Sequence, residues 1–79
     1  MKLPRDLGGG ELVKILCKHW DYTQVHQVGS HAILETKIPS QQRISIPLHD
    51  ALRIGTLNAI LRSVANHKGA SRQEILERS

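Results

Sequence analysis

Residues 22–38 have the sequence YTQVHQVGSHAILETKI, in which a Gly-Ser pair separates two runs of strand-forming character. Both runs are rich in β-branched or alternating residues, as β-strands are. Glycine supplies the positive φ of a tight hairpin, so Gly29-Ser30 predicts a turn between antiparallel strands. His31 then begins the second strand, beside the turn and on a rigid support. Because histidine exchanges a proton near neutral pH, His31 is a candidate for contact with a substrate.

Upstream of the hairpin, apolar residues recur at helical spacing and charged residues take the other side. The apolar positions are Leu12, Val13, Leu16, Cys17 and Trp20. The segment Gly8-Gly9-Gly10 precedes this helix. Phosphate-binding loops need glycines at a fixed spacing that three consecutive glycines do not provide. We therefore expect a flexible start to the helix.

Downstream, a second helix is predicted over about residues 55–66, with Thr56 as its N-cap and Gly69 after its last turn. Its buried stripe is formed by Leu57, Ile60, Leu61 and Val64. Ser71 and Glu74 then have the spacing of a capping box, which opens a short third helix. That helix has two apolar anchors, Ile75 and Leu76, so we expect it either to fray or to be completed by a partner.

Three strands are predicted between the first two helices, near residues 23–28, 31–38 and 42–48. Pro47 has no N–H to donate, so it belongs at a strand end or on an edge. Helices that flank an antiparallel meander pack on one face of the sheet and leave the other open. The sequence therefore predicts a single α+β domain over residues 1–79, with the order α-β-β-β-α and a short extra C-terminal helix.

Strand alternation assigns side chains to the two faces of this sheet. If Ala32, Leu34 and Thr36 point towards the helices, the intervening residues point away from them. The side chains predicted to share the uncovered face are His26, His31, Ile33, Glu35, Lys37, Arg43 and Ser45. The sequence therefore predicts that His31, Lys37 and Arg43 share one face of the sheet.

The chain has 79 residues and a net charge of +4, and the charge is unevenly distributed. Residues 36–72 hold six basic side chains and one acidic one, whereas residues 1–35 hold four of each. Such a field favours a polyanion, most simply nucleic acid, with an ordinary solvated surface as the alternative. A single cysteine, no membrane-length apolar run and no secretion-signal pattern predict a cytoplasmic protein.

Four segments, in this order, resemble the HicA toxin family of toxin–antitoxin systems, small endoribonucleases with a double-stranded-RNA-binding-like fold. They are KLPR (2–5) with the helix ELVKIL (11–16), QVGSH (27–31), ISIPLH (44–49) and LRIGTLNAIL (52–61). The resemblance implies that His31, the histidine of Gly-Ser-His, is catalytic. Two positions depart from the family: Gly8-Gly9-Gly10 replaces a common Ser-Gly-Lys, and His26 stands where an arginine is common.

RNA can be cut without a metal when its own 2′-hydroxyl attacks the adjacent phosphate. The reaction needs a base, an acid and cations that face the charge building on phosphorus. We assign His31 as base or acid, with Lys37 and Arg43 as phosphate holders. The amides of Gly29-Ser30 or the Ser30 hydroxyl are donor candidates. The second proton-transfer group is left open between His26 and water.

The remaining candidates receive simpler interpretations. Lys14 and Lys18 form either a solvated helix face or an RNA-backbone contact. His49 is expected to hydrogen-bond the loop into the second helix, and His19 and His67 to interact with helix C-terminal dipoles. The histidine spacing does not favour a metal site, and no cofactor is expected.

The sequence thus predicts a metal-independent endoribonuclease toxin that cleaves mRNA. The resemblance implies neutralisation by a HicB-type antitoxin. The alternative is a non-catalytic double-stranded-RNA-binding module, which reads phosphates and 2′-hydroxyls without a proton shuttle. Direct sequence-specific reading of DNA and a membrane partner are not expected, because the chain has no recognition-helix signature and no apolar span.

Overall fold

The computed structural model of the chain describes residues 7–77. Its elements are α1 (Gly9–His19), β1 (Thr23–Val28), β2 (His31–Thr36), β3 (Gln42–Pro47), α2 (Ile54–Lys68) and α3 (Arg72–Glu77). The strands form one antiparallel sheet in the order β1-β2-β3. The predicted α+β arrangement is confirmed. The segment KLPR (2–5) of the family resemblance lies outside the described residues.

A two-residue turn joins β1 to β2, as the Gly-Ser pair predicts. Val28 pairs with His31 across the turn, and Gly29 has a φ of +58°. A glycine with positive φ at the first turn position is typical of a type II′ hairpin, whose twist matches that of the strands. β2 ends two residues earlier than predicted, because its ladder with β3 stops at the pair Thr36–Gln42. Pro39, which cannot donate to a ladder, follows in the loop.

The helices cover one face of the sheet and enclose an aliphatic core there. Ala32 and Leu34 are fully buried and Thr36 is 2% exposed, as alternation predicts. The fully buried side chains from the helices are Leu12, Leu16, Leu57, Leu61, Val64 and Ile75. Val13, Cys17 and Ile60 are only half-buried, because they flank these stripes. Helix periodicity therefore identifies the centre of the core better than its margin.

The predicted N-cap of α2 is wrong. The helix begins at Ile54 and its N-cap is Arg53, so Thr56 is already the third helical residue. The amide of Leu57 donates to the carbonyl of Arg53 (2.9 Å), which closes the first helical turn without a side-chain cap. The other end agrees with prediction, since Gly69 has a left-handed φ of +67° and ends the helix.

The third helix is formed and packs against the rest of the chain. Ser71 and Glu74 form the predicted capping box, with two reciprocal hydrogen bonds of 3.1 Å. Ile75 is fully buried, and the indole Nε1 of Trp20 donates to its carbonyl (3.1 Å). The chain's own tryptophan therefore completes α3.

The expected flexible start of α1 is also wrong, because Gly8 and Gly9 are buried against the loop after β3. A Cβ on Gly9 would lie 1.8 Å from the carbonyl oxygen of Pro47, and one on Gly8 would lie 2.6 Å from that of Asp50. The Gly9 amide donates to the carbonyl of His49 (2.9 Å). These glycines let two backbones touch, whereas Gly10 has open space around it.

None of the helices within residues 7–77 has the length and apolar composition that a membrane crossing requires.

Candidate functional site

His31 is exposed at the first position of β2, the central strand. It pairs with Val28 on one side and Pro47 on the other, and the next residue, Ala32, is fully buried. The carbonyl of Ser30 also accepts a hydrogen bond from the Leu48 amide (2.7 Å), which links the turn to the end of β3. The imidazole is therefore accessible while the main chain beneath it is held on three sides.

The predicted uncovered face exists, and we call it the open face. It comprises Thr23, His26 and Val28 of β1, His31, Ile33 and Glu35 of β2, and Arg43, Ser45 and Pro47 of β3. Every member lies opposite another member in the strand register, on the side away from the buried Ala32 and Leu34. Alternation predicted six of these residues, His26, His31, Ile33, Glu35, Arg43 and Ser45, and did not include Thr23, Val28 and Pro47.

His26 reaches the open face by alternation from the hairpin turn, as predicted. Val28 pairs with His31 across the turn, so His26, two residues earlier, lies opposite Ile33 on the same face. Beyond His26 the register passes directly to the pair Gln24–Leu34, so Val25 is an extra residue in a β-bulge, which returns Thr23 to the open face. The turn therefore brings a second imidazole to the surface that carries His31.

Arg43 is not an isolated cation. Its Nη2 donates to Oε1 of Glu35 at 3.0 Å, and the Gln41 amide donates to the same oxygen at 3.1 Å. These two hydrogen bonds, that from Arg43 first, lower the pKa of the Glu35 carboxyl. Arg43 is 60% exposed, and a guanidinium has five N–H donors, so donors are left for an external anion.

The basic residues that the sequence predicts as RNA contacts all lie away from His31. Lys37 lies in the loop beyond β2, six residues from His31, which corresponds to roughly 20 Å of strand. Arg43 lies opposite Glu35, roughly 13 Å along the same strand from His31. Lys14 and Lys18 are exposed on α1, in the helical layer rather than on the open face. The structure therefore brings Gly29 and Ser30, but none of these cations, next to His31.

His49 differs from its predicted role, whereas His67 lies in the last turn of α2 as predicted and makes one further contact. The loop after β3 is held by the main-chain carbonyl of His49, which accepts from Gly9, and not by the imidazole. His67 places Nε2 at 2.8 Å from the carbonyl of Ser40 and so links α2 to the loop after β2. Since Ser40 precedes His67 by 27 residues, local spacing could not reveal this contact.

A network that the sequence did not reveal fixes the end of the sheet opposite to His31. Lys68 donates from Nζ to Thr36 Oγ1 (2.9 Å) and to the carbonyl of Ile38 (2.6 Å), and its ammonium lies 4.9 Å from the centre of the Tyr22 ring. Burial lowers the pKa of Lys68. A groove of about 590 Å³ opens there, lined by Tyr22, Thr36 and Lys37 among others. Apart from Lys37, it contains no predicted site residue.

Within residues 7–77 no three His, Cys, Asp or Glu side chains converge in a way that could hold a metal ion.

Comparison with known protein families gives a match. A family model described as the HicA toxin of bacterial toxin–antitoxin systems matches residues 9–65. The matched segment starts at the first residue of α1 and ends in α2, and it contains the hairpin with His31 and the whole open face. No curated protein and no solved structure gives a significant match.

Proposed function

The chain belongs to the HicA toxin family of bacterial toxin–antitoxin systems, and on this basis we propose that it is a cytoplasmic endoribonuclease that cleaves mRNA. The observation that carries the proposal is the exposed His31 at the hairpin tip, held by the main chain of β1 and β3. A fixed and accessible imidazole is what a proton transfer to or from an RNA strand requires.

The open face suits a single strand of RNA better than a small molecule. It is a sheet surface and not an enclosed cavity, so a chain of nucleotides can lie along it. Gly29 and Ser30 directly precede His31, so we assign their amides or the Ser30 hydroxyl as donors to the phosphate that reacts. Arg43 and Lys37, roughly 13 and 20 Å along the strand direction, fit neighbouring phosphates of the same molecule. Lys14 and Lys18 would contact only RNA that continues onto the helical side.

The proposed reaction needs no metal ion. A base removes the proton of the 2′-hydroxyl, the O2′–P bond forms, the P–O5′ bond breaks, and an acid protonates the leaving O5′. The products are a 2′,3′-cyclic phosphate and a 5′-hydroxyl. His31 performs one of the two proton transfers, because imidazole both accepts and donates a proton near neutral pH.

The antitoxin is proposed to be a HicB-type protein that covers the open face and His31. Acidic side chains opposite Arg43 and Lys37 would complement the cations there and compete with RNA for them. Glu35 already pairs with Arg43 and neutralises part of its charge, so a carboxylate of the antitoxin would compete with Glu35 for this guanidinium.

The direct test is His31→Ala, assayed on single-stranded RNA in excess chelator and by growth arrest on expression. We expect cleavage to fall by 10²–10⁴-fold or more, the usual contribution of a general acid or base, and growth arrest to disappear. His19→Gln is the matched control, because His19 lies at the end of α1 in the helical layer.

Circular dichroism should give the same thermal transition for all three proteins. Cleavage by His31→Ala at the parental rate would contradict the proposal. RNA binding without any cut product from the parental protein would instead favour the non-catalytic RNA-binding module.

A further inference from the structure

We propose that His26 is the second proton-transfer group of this site and acts on the same phosphodiester as His31. The inference rests on the proposed function and extends it to a residue that the Gly-Ser-His motif does not contain. It starts from the strand register, which places the two imidazoles on one surface.

The register gives the relation between the two histidines. His26 lies opposite Ile33, and Ile33 is two residues after His31 on the same face of β2. His26 and His31 are therefore diagonal neighbours across the β1–β2 pair. Such neighbours lie about 7–8 Å apart at Cα, within reach of long side chains that lean towards a shared ligand. Both residues are exposed, so a phosphate can enter between the imidazoles.

The hairpin turn fixes this arrangement. Because Val28 pairs with His31 across the two-residue turn, Gln27 pairs with Ala32 and His26 with Ile33. The bulge at Val25 lies on the side of His26 away from the turn and leaves this pairing unchanged. β1 is also an edge strand with all six residues exposed, so no described element covers His26.

Among the five histidines, His26 has the position that a partner of His31 needs. His19 and His67 belong to α1 and α2, in the helical layer. His49 lies past the end of β3, outside the sheet. His26 alone shares the open face with His31.

The charged groups around His26 are compatible with this role. Its two diagonal neighbours on β2 are His31 and Glu35. Glu35 is held by Arg43, which lies one strand further away. β1 itself carries no other charged residue, and the helices lie on the opposite face. His26 is therefore surrounded by one imidazole and one ion pair.

His26 and His31 together account for both proton transfers of the reaction. One imidazole takes the 2′-hydroxyl proton as the O2′–P bond forms, and the other, as imidazolium, gives its proton to O5′ as the P–O5′ bond breaks. The two histidines end with their protonation states exchanged, and water restores them. No outside oxidant, reductant or metal is required.

The first test compares the pH profiles of kcat and KM for the parental protein, His26→Gln, His26→Arg and His19→Gln. Two histidines, one acid and one base, give a bell-shaped profile of kcat/KM. We expect His26→Gln to lower kcat by 10²–10⁴-fold, with KM changed far less, and to remove one limb of the bell. His19→Gln should behave as the parent.

His26→Arg separates proton transfer from phosphate binding. Arginine keeps a cation at this position but does not give up its proton in proteins. If His26→Arg is as slow as His26→Gln, proton transfer is supported. If arginine restores kcat, or if His26→Gln cleaves at the parental rate, the inference is overturned.

The second test uses RNA in which sulfur replaces O5′ at the scissile bond. A thiolate leaves without being protonated, so only the variant that lacks the acid is rescued. Selective rescue of His26→Gln would identify His26 as the acid. Selective rescue of His31→Ala would identify His31 as the acid and His26 as the base. Equal behaviour of the two variants contradicts a division of labour between them.

Failure of this inference differs from failure of the proposed function. If the parental protein cleaves RNA and His31→Ala does not, while His26→Gln is unaffected, only the role of His26 is lost. If the parental protein does not cleave RNA, the proposed function itself fails.

Discussion

Tyr22 lies under the loop after β2 and is 2% exposed. Its hydroxyl donates to Oε1 of Gln42, whose amide in turn donates to Ser63 on α2. Burial raises the pKa of Tyr22 to about 12. One phenol thus joins the start of β1 to the start of β3, and the fold stabilises its neutral form.

This shift predicts how stability depends on alkaline pH. An unperturbed tyrosine ionises near pH 10. Because the folded pKa is higher, the contribution of Tyr22 is complete below about pH 10 and is lost as pH rises through about 12. The loss approaches roughly 3 kcal/mol at most, from about 1.4 kcal/mol per pH unit.

Tyr22 is the only tyrosine, so ultraviolet titration of tyrosinate reports on it alone. The native protein should titrate near 12 and the urea-unfolded protein near 10. A native transition at 10 would show that the phenol is not buried as described.

A second prediction for a single residue is that removing the charge of Glu35 strengthens RNA binding. Glu35→Gln removes the negative charge that faces Arg43, so the open face becomes more positive. In a His31→Ala background, chosen because the proposed function assigns catalysis to His31, we expect tighter RNA binding, with a slope of log K against log salt that is steeper by up to about one. Glu77→Gln on α3 is the control. Weaker RNA binding by Glu35→Gln would mean that Glu35 serves mainly to position Arg43.

At the scale of elements, Gly9 sets how closely α1 approaches the end of β3. A methyl group there would overlap the carbonyl of Pro47, so Gly9→Ala forces the helix away from the strand. We expect the free energy of unfolding to fall by about 1–3 kcal/mol, as in other overpacked sites. RNA cleavage should fall as well, since Pro47 pairs with His31 and Leu48 holds the turn.

Gly10→Ala provides the matched control, because its Cβ would meet no atom within 4 Å. Alanine inside a helix is more favourable than glycine, so this variant should be as stable as the parent or gain up to about 1 kcal/mol. Urea unfolding of the two variants measures both values. Equal effects at the two positions would contradict the close backbone contact.

Sequence periodicity predicted the elements because each buries one face. The stripe of α2 and the alternation of β2 follow from that requirement, and the Gly29 turn follows from backbone sterics. The start of α1, the bulge at Val25 and the first turn of α2 were missed. Each depends on backbone contacts between segments distant in sequence or on strand register, neither of which leaves a local pattern of apolar residues.

The candidate site was predictable to a similar extent. His31 and its exposure follow from the hairpin, and Arg43 from alternation. The Glu35–Arg43 ion pair required knowledge of which residue of β3 lies opposite which residue of β2. Whether Lys37 belongs to the open face depended on the end of β2, which the alternating sequence placed two residues too late.

At the scale of the whole molecule, α3 is part of the core despite its six residues. Ile75 is fully buried, and Trp20, which directly follows α1, donates to its carbonyl. Because the core is small, Ile75→Ala should lower the free energy of unfolding by about 2–5 kcal/mol and shift the entire transition.

Trp20 is the only tryptophan, so its fluorescence reports on α3 docking, while circular dichroism reports on the whole fold. The two signals should change together in urea. Ile54→Ala, at a position that is 47% exposed, should change stability by less than about 0.5 kcal/mol. A fluorescence transition at a lower urea concentration than the circular dichroism transition would show that α3 unfolds separately.

The turn that carries His31 is attached to its surroundings by peptide groups: Leu48 N–H to the Ser30 carbonyl, and Gly9 N–H to the His49 carbonyl. Every amino acid except proline supplies such a donor, and of these four residues only Gly9 is confined to one amino acid, by the carbonyl of Pro47. Evolution of this lineage is therefore free to alter the other side chains that border the histidine while the frame keeps its shape.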